Sequence, residues 1–79
     1  MSETNLNTLE PGERGTILRI TAKGTVRQRI AEMGLSPGAV VTMVRRAPLN
    51  DPLEFIVRGY HITLRNSEAA DIVVDVREA

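Results

Sequence analysis

Few residues of this sequence could carry chemistry, and none stands in a pattern that catalysis uses. The chain has no cysteine and a single histidine, His61. An enzyme needs a nucleophile, a base or a metal held by neighbouring groups. We expect His61 in a strand, on the polar face that it shares with Thr63 and Arg65, and the acidic residues occur singly. With no phosphate-binding G-x-x-x-x-G-K-[ST] loop either, we predict no catalytic, cofactor-binding or metal-binding residues, and no enzyme.

The composition narrows the kinds of partner. The chain has 79 residues, enough for one domain, with ten basic and ten acidic side chains and a net charge of zero. Binding to nucleic acid is disfavoured, because such proteins need a basic surface and stacking aromatics. No apolar run reaches the length of a membrane span, and no signal peptide is recognisable at the N-terminus. We therefore expect a cytoplasmic protein.

A short helix is the centre of the predicted fold. Thr25 and Gln28 have the spacing of a capping box, which predicts a helix that begins at Val26 and extends to Met33. Val26, Ile30 and Met33 recur at helical spacing and are expected to form its buried face. About eight residues cannot form a stable helix alone in water, so this helix must depend on what it covers.

The end of this helix is predicted from a glycine. Gly34 is expected to adopt the left-handed conformation, and Leu35 to fold back onto Ile30 as in a Schellman motif. In this predicted helix Arg27 and Arg29 are expected in the first turn and Glu32 in the last, which would oppose the helix dipole. Tertiary pairing, a contact between Arg29 and Glu32, or a charged surface kept for a partner could explain this arrangement.

Short β-strands make up most of the remaining chain. Alternating apolar residues predict strands over Gly15 to Thr21, with Leu18 and Ile20 on one face, Ala39 to Arg46 in a central position, 53–57, 60–64 and 72–76. The hairpin at Gly59 could turn on Arg58-Gly59, pairing Phe55 with Ile62, or on Gly59-Tyr60, pairing Phe55 with Leu64. One helical turn is expected over Ser67 to Asp71, capped by Ser67. These elements predict a mainly β protein, a small SH3-like barrel of about five strands whose helix covers one open end, with an OB-like barrel as the alternative.

The predicted domain spans residues 9–76, with a flexible N-terminal segment over residues 1–8 and a C-terminal tail over residues 77–79. Within the domain, the segment Ala47 to Pro52 is a predicted loop, because its two prolines cannot continue a ladder. The prolines could simply terminate strands. Alternatively, a stiff loop that presents Leu49 would suit recognition.

Five segments in order resemble the FeoA family of small bacterial ferrous iron transport proteins. They are LEPGERGTI, then Arg27 to Gly38, Arg45 to Phe55, Arg58 to Arg65 and Glu68 to Val74, nearly the whole chain. The family commonly has leucine where Ile30 stands here. The resemblance implies an SH3-like fold, no catalytic residues, and a regulatory role on the cytoplasmic side of FeoB, a membrane Fe(II) transporter with a GTP-binding domain.

Two functions follow from the resemblance. In the first, the protein binds the transporter, and our own hypothesis from the residues is a contact surface made by Arg29, Met33, Leu35, Pro37, Pro48, Leu49, Asp51, Pro52 and Tyr60. In the second, it is a small iron-sensing or transition-metal-binding module, similar to the SH3-like domains that end iron-dependent repressors. Weak Fe(II) binding by scattered ligands such as Asp51, Glu54 or His61 would then be expected.

Overall fold

Six strands of one antiparallel sheet form the body of the protein. The computed structural model describes residues 2–77, and Arg77 only through its backbone. The elements are β1 (Ser2–Asn5), a 3-10 turn (Leu6–Thr8), β2 (Arg14–Ile20), α1 (Gly24–Glu32), β3 (Val40–Arg46), a non-helical turn (Pro48–Asn50), β4 (Leu53–Val57), β5 (Tyr60–Leu64), α2 (Asn66–Ala69) and β6 (Ile72–Arg77). The strand order is β1-β6-β2-β3-β4-β5. The prediction of a mainly β fold with a central β3 is confirmed.

The N-terminal segment differs from the prediction of flexibility. Residues 2–5 form β1, which pairs antiparallel with β6, and Leu6 is fully buried. The sequence did not predict this strand, because its residues are polar. The strand is stabilised by backbone pairing with β6 and by burial of Leu6, which follows it. Within the predicted tail, Arg77 ends β6, whereas residues 78 and 79 lie outside the described residues.

Helix α1 begins earlier than a threonine cap would place it. Lys23 is the N-cap, no side chain caps the helix, and Gly24 turns the chain with a φ of 65°. Glycine adopts this conformation readily, unlike threonine, so the capping box predicted at Thr25 is wrong. The predicted apolar face is also only partly right, since Ile30 is buried but Val26 is 39% exposed.

The C-terminus of α1 has the predicted Schellman motif. Gly34 has a φ of 87°. Its N–H donates to Ala31 O at 3.0 Å, and the Leu35 N–H donates to Ile30 O at 3.3 Å. Leu35 is fully buried beside Ile30 in the core. The motif therefore satisfies two helix carbonyls and places a large apolar side chain in the core.

Strand β2 is irregular, which the sequence did not indicate. Gly15, Ile17 and Ile20 are buried while Leu18 is half-buried, so Leu18 and Ile20 do not share one buried face. The register with β6 shifts between Ile17 and Arg19, and such a bulge exchanges the two faces of a strand.

The second half of the chain closes through a tight hairpin and a short helix. Val57 pairs with Tyr60 and Phe55 with Ile62, so the turn on Arg58-Gly59 is the one that forms. Helix α2 begins at Asn66, and its N-cap is Arg65, so the predicted cap at Ser67 is wrong. The Arg65 N–H instead donates to the Glu68 carboxylate at 2.9 Å.

Candidate partner-binding surface

The loop between β3 and β4 presents an exposed leucine in an unfavourable backbone conformation. Leu49 has a φ of 70° and the next residue, Asn50, a φ of 62°. The Leu49 side chain is 98% exposed. The left-handed conformation costs a residue with a Cβ about 1 to 2 kcal/mol, and no burial of this side chain offsets that cost. Strain at an exposed apolar residue is typical of a functional position.

Hydrogen bonds hold this loop in place. Its ends are joined by the Ala47 N–H, which donates to Pro52 O at 3.0 Å. Asn66, at the start of α2, donates its N–H to the Asp51 carboxylate at 2.9 Å and its side-chain amide to Asn50 O at 3.1 Å. Because both contacts tie the loop to α2, Leu49 is presented from a fixed backbone.

A shallow cavity of about 350 Å³ lies beside the loop. Its lining consists of Arg29, Asp51, Pro52, Thr63, Leu64, Arg65 and Glu68. Glu68 is buried, and its carboxylate accepts hydrogen bonds from the Arg29 guanidinium and from the Arg65 N–H. Because α1 begins at Gly24, Arg29 lies in its last turn, where a positive charge favours the helix dipole, so the opposition predicted for Arg29 is wrong. Its guanidinium forms a tertiary ion pair with Glu68 at the cavity. Within residues 2–77, Arg65 has no ion-pair partner.

The structure brings together part of the predicted surface. Arg29, Asp51 and Pro52 line the cavity, and Pro48 and Leu49 belong to the pinned loop next to it. We call these five residues the loop surface. Sequence reasoning missed Arg65 and Glu68, because arginine is not a residue type that signals the start of a helix, and Glu68 supplies only the second half of the capping-box pattern.

Four predicted residues lie outside the loop surface. Leu35 is fully buried and cannot touch a partner, because the Schellman motif turns it into the core. Met33 is half-buried against the core. Tyr60 is 74% exposed but pairs with Val57 at the far end of β4 from Leu53. Pro37, in the turn before β3, lies at that far end too, since Val41 also pairs with Val57.

The polar face of β4 and β5 carries a small charged network. His61 Nδ1 donates to Glu54 Oε2 at 2.8 Å, and Arg45 Nε donates to Glu54 Oε1 at 2.9 Å. These two hydrogen bonds hold the pKa of Glu54 below its ordinary value, and the bond from His61 has the larger effect. All three residues are on the outside of the sheet, as predicted for His61.

A resident metal centre does not fit these residues. Glu54 and His61 are adjacent, but Asp51 is engaged with the start of α2. Among residues 2–77 there is no group of three or more His, Cys, Asp or Glu side chains that could hold a metal ion. Protein sites for transition metals need at least three such ligands in most cases.

Comparison with known proteins decides the family. The FeoA domain matches residues 4–76. The chain belongs to the FeoA domain family. No helix in the described part of this FeoA domain is long and apolar enough to cross a membrane.

One curated relative joins this domain to a transporter. Over 71 residues the chain is 38% identical to a Porphyromonas gingivalis protein described as a fusion of Fe(2+) transport protein A and the Fe(2+) transporter FeoB. The alignment covers 90% of this chain and 8% of that protein. The chain therefore corresponds to a small part of that relative.

Solved structures share the fold along nearly the whole chain. A FeoA-like protein from Clostridium acetobutylicum superposes with a TM-score of 0.90 at 33% identity, covering 100% of this chain and 92% of that one. The FeoA of Stenotrophomonas maltophilia, solved with zinc and described as a prokaryotic SH3 domain protein, gives 0.80 at 29% identity over 91% and 89% of the two chains. The SH3-like fold is confirmed.

The same fold occurs in a metal-dependent repressor. A manganese-dependent transcriptional repressor superposes with a TM-score of 0.88 at 19% identity, over 98% of this chain and 42% of that one. At this identity the likeness concerns the fold alone.

Proposed function

We propose that this FeoA domain is a non-catalytic accessory or regulatory protein of bacterial ferrous iron uptake, which acts by binding the cytoplasmic part of the FeoB transporter. The family membership supports the link to iron transport. The fusion in a relative supports the partner, because two proteins that work together can be joined in one chain without losing their contact. The protein would then act in the cytoplasm, at the inner membrane while bound.

The observation that carries this proposal is Leu49. Its side chain is 98% exposed on a loop that hydrogen bonds fix to α2. An exposed apolar side chain on a fixed backbone can be buried by a partner with little loss of backbone conformational entropy. Pro48 and Pro52 extend the apolar area, and Arg29 and Asp51 supply charges at its border, as in interfaces with an apolar centre and a polar rim.

The mechanism that fits such a surface is a shift of the transporter between its states. A protein that binds one state of its partner more tightly raises the population of that state. Catalytic groups are not required for this effect. The regulated step could be followed as the rate of GTP hydrolysis or of Fe(II) transport by the partner.

Capture of the transporter's cytoplasmic part tests the proposal. Immobilised wild-type protein should retain it, and Leu49→Ala or Arg29→Ala should retain much less. Val40→Ala is the matched control, because Val40 is also an exposed aliphatic residue, at 50%, but lies at the opposite end of β3 from the loop. Undiminished capture by the Leu49 and Arg29 variants would rule out the loop surface.

Direct metal sensing is the second candidate, and one observation favours it. Glu54 and His61 place two ligand atoms within 2.8 Å of each other, so a divalent ion could be shared with ligands from another molecule. Titration of Fe(II) or Mn(II) into the isolated protein separates the two functions. Binding to the transporter that persists with chelator present would remove metal sensing as its cause.

A further inference from the structure

Strand β5 ends the sheet and leaves backbone groups without a partner. Its five residues pair with β4 in unbroken register, from Val57 with Tyr60 to Leu53 with Leu64. The pair that closes a two-residue turn is hydrogen-bonded, and such pairs alternate along an antiparallel ladder. Tyr60, Ile62 and Leu64 therefore bond β4. The N–H and C=O groups of His61 and Thr63 point away from it, and no other backbone group within residues 2–77 bonds them. We call these four groups the β5 edge.

The other edge of the sheet is less accessible to an added strand. Strand β1 has only four residues, its first N–H donates to the Asp75 carboxylate, and Glu3 is engaged in an ion pair with Arg19. Proteins commonly protect an edge with a proline, a bulge or an inward-pointing charge. The sequence of β5, Tyr-His-Ile-Thr-Leu, has none of these features, and the register shifts of the sheet fall in other strand pairs.

The two faces of β5 differ in chemistry. On the inner face, Ile62 is half-buried and Tyr60 is 74% exposed, so apolar side chains from an added strand would cover them. On the outer face, Arg65 is exposed and lacks an ion-pair partner among the described residues, while the charge of Glu54 is already met by Arg45. Acidic side chains on the outer face of an added strand would complement this charge.

These same charges argue against a second copy of this chain as the occupant. Two β5 strands that paired edge to edge, antiparallel about Ile62, would place Arg65 of one copy opposite Gly59 of the other and one residue from Arg58, and the two-fold symmetry would repeat this contact at the other end. Like charges on such neighbouring positions repel each other and weaken the pairing. The occupant should therefore come from a different protein.

We propose that the β5 edge binds an extended segment of the transporter's cytoplasmic part, in which acidic and apolar residues alternate, by adding it to the sheet as a seventh strand. The inference rests on the proposed function and names its mode of recognition. In strand addition, main-chain hydrogen bonds supply affinity and alternate side chains supply specificity. The loop surface would lie at one end of this contact, since Leu64 and Pro52 line the same cavity.

Two substitutions at one position test the main-chain contact. Thr63→Pro removes an N–H that the β4 ladder does not use, and an edge strand tolerates proline there. Thr63→Val keeps the N–H and the shape of the side chain. In titrations with the transporter's cytoplasmic part, Thr63→Pro should weaken binding by about tenfold or more. The variant lacks the N–H of residue 63, so the carbonyl of the added strand that would accept from it is left without a hydrogen bond. Thr63→Val should stay within about twofold of wild type, as expected for an exposed substitution.

Hydrogen exchange gives a readout that does not depend on a variant. In the wild-type complex, the amide protons of His61 and Thr63 should exchange at least about tenfold more slowly than in the free protein, because exchange requires that the new bonds open. The amides of β1 should exchange at the same rate with and without the partner. Arg65→Glu should weaken binding, whereas Arg14→Glu, in β2 and separated from β5 by two strands, should not.

Each outcome bears on a distinct claim. If wild-type protein binds, Leu49→Ala weakens binding and Thr63→Pro does not, the edge inference is overturned while the proposed function stands. Unchanged exchange at His61 and Thr63 in the complex overturns it in the same way. A concentration-dependent dimer that Thr63→Pro abolishes would identify a second copy as the occupant and contradict the inference. If wild-type protein does not bind the transporter part at all, both proposals fail.

Discussion

Two leucines in two turns of this protein have opposite surroundings. Leu35 follows Gly34, and it is Gly34 that has the left-handed conformation in this turn. The Leu35 side chain is fully buried. Leu49 itself takes the left-handed conformation, and its side chain is 98% exposed. In the first turn, glycine has the left-handed backbone conformation and the leucine packs in the core. The second places an apolar side chain in water on a strained residue.

The difference separates stability from recognition. Burying a leucine side chain contributes about 1.5 to 3 kcal/mol to folding, which accounts for Leu35. Leu49 contributes nothing comparable, so its position needs another explanation. Binding supplies one, because a partner that covers Leu49 would gain the apolar burial that folding leaves unused.

The largest expected effect on stability is that of a substitution at Leu35. Leu35→Ala would leave a cavity between α1 and the sheet and should lower the free energy of unfolding by about 2 to 5 kcal/mol. Urea denaturation followed by circular dichroism measures it. A loss below 1 kcal/mol would mean that the side chain is not the core residue described here. Measured on molecules that remain folded, binding to the transporter part should be unchanged.

Glu68 is intermediate between the two leucines, because it is buried yet lies under the loop surface. Glu68→Ala removes the acceptor for the Arg65 N–H and the partner of Arg29. We expect a loss of about 1 to 2 kcal/mol, since hydrogen bonds to charged groups are worth more than neutral ones but Arg29 is largely exposed to solvent. Glu68→Gln, which keeps an acceptor oxygen, should lose less. Equal losses in thermal unfolding would contradict the role given to the charge.

Gly34 tests the backbone part of the comparison. Gly34→Ala would force a Cβ into the left-handed conformation and should cost about 1 to 2 kcal/mol, although among the described residues no atom lies within 4 Å of that Cβ. Gly12→Ala is a matched control for the conformation itself, because Gly12 has a φ of 93° and the same open space but does not end a helix. Thermal denaturation should show a similar loss for both variants. A loss confined to Gly34 would assign the effect to the helix end instead.

Leu49 should behave in the opposite way to Leu35 in a stability assay. Leu49→Ala removes no buried contact and keeps the same backbone conformation, so the free energy of unfolding should change by no more than about 0.5 kcal/mol. Chemical denaturation in parallel with Leu35→Ala gives the comparison directly. A loss of several kcal/mol would show that Leu49 is covered within the folded chain and would remove it from the loop surface.

The smallest expected effect concerns pH. The pKa of Glu54 is lowered by His61 and then by Arg45, so the folded protein binds this proton more weakly than the unfolded chain does. The contribution to stability is present above the ordinary pKa of glutamate, about 4.3, and is lost as the pH falls through the lower folded value. Glu54→Gln should remove this part of the pH dependence of unfolding, which lies below about pH 5. An unchanged profile would contradict the described hydrogen bonds.

Local sequence signals predicted the elements whose stability is local. The glycine at 34, the two-residue turn before Tyr60 and the central β3 follow from turn chemistry and apolar alternation. The strand β1 and the bulge in β2 could not be predicted, because they depend on pairing with β6, more than fifty residues away in the chain. The start of α1 was misplaced because the sequence offers two signals in the same turn, a threonine cap at Thr25 and a glycine at Gly24. The structure has the left-handed glycine and lacks the threonine cap.

The candidate surface was predicted in part for the same reason. Pro48, Leu49 and Pro52 stood out because no local pattern explained them. Arg29 stood out only because the predicted helix, Val26 to Met33, placed its charge in the first turn, whereas in α1 it lies in the last. Their convergence beside α2 is a tertiary result, as is the separation of Tyr60 and Pro37 from them. The burial of Leu35 followed from the Schellman prediction, and its inclusion in the surface was inconsistent with that prediction.

One measurement tests the central claim most directly: calorimetric titration of the transporter's cytoplasmic part into wild-type protein, Leu49→Ala and Val40→Ala, with the unfolding free energy of each determined in the same buffer. We predict that Leu49→Ala alone binds at least about tenfold more weakly, a loss of about 1.4 kcal/mol, while all three unfold alike. Equal affinities for the three proteins would contradict the account.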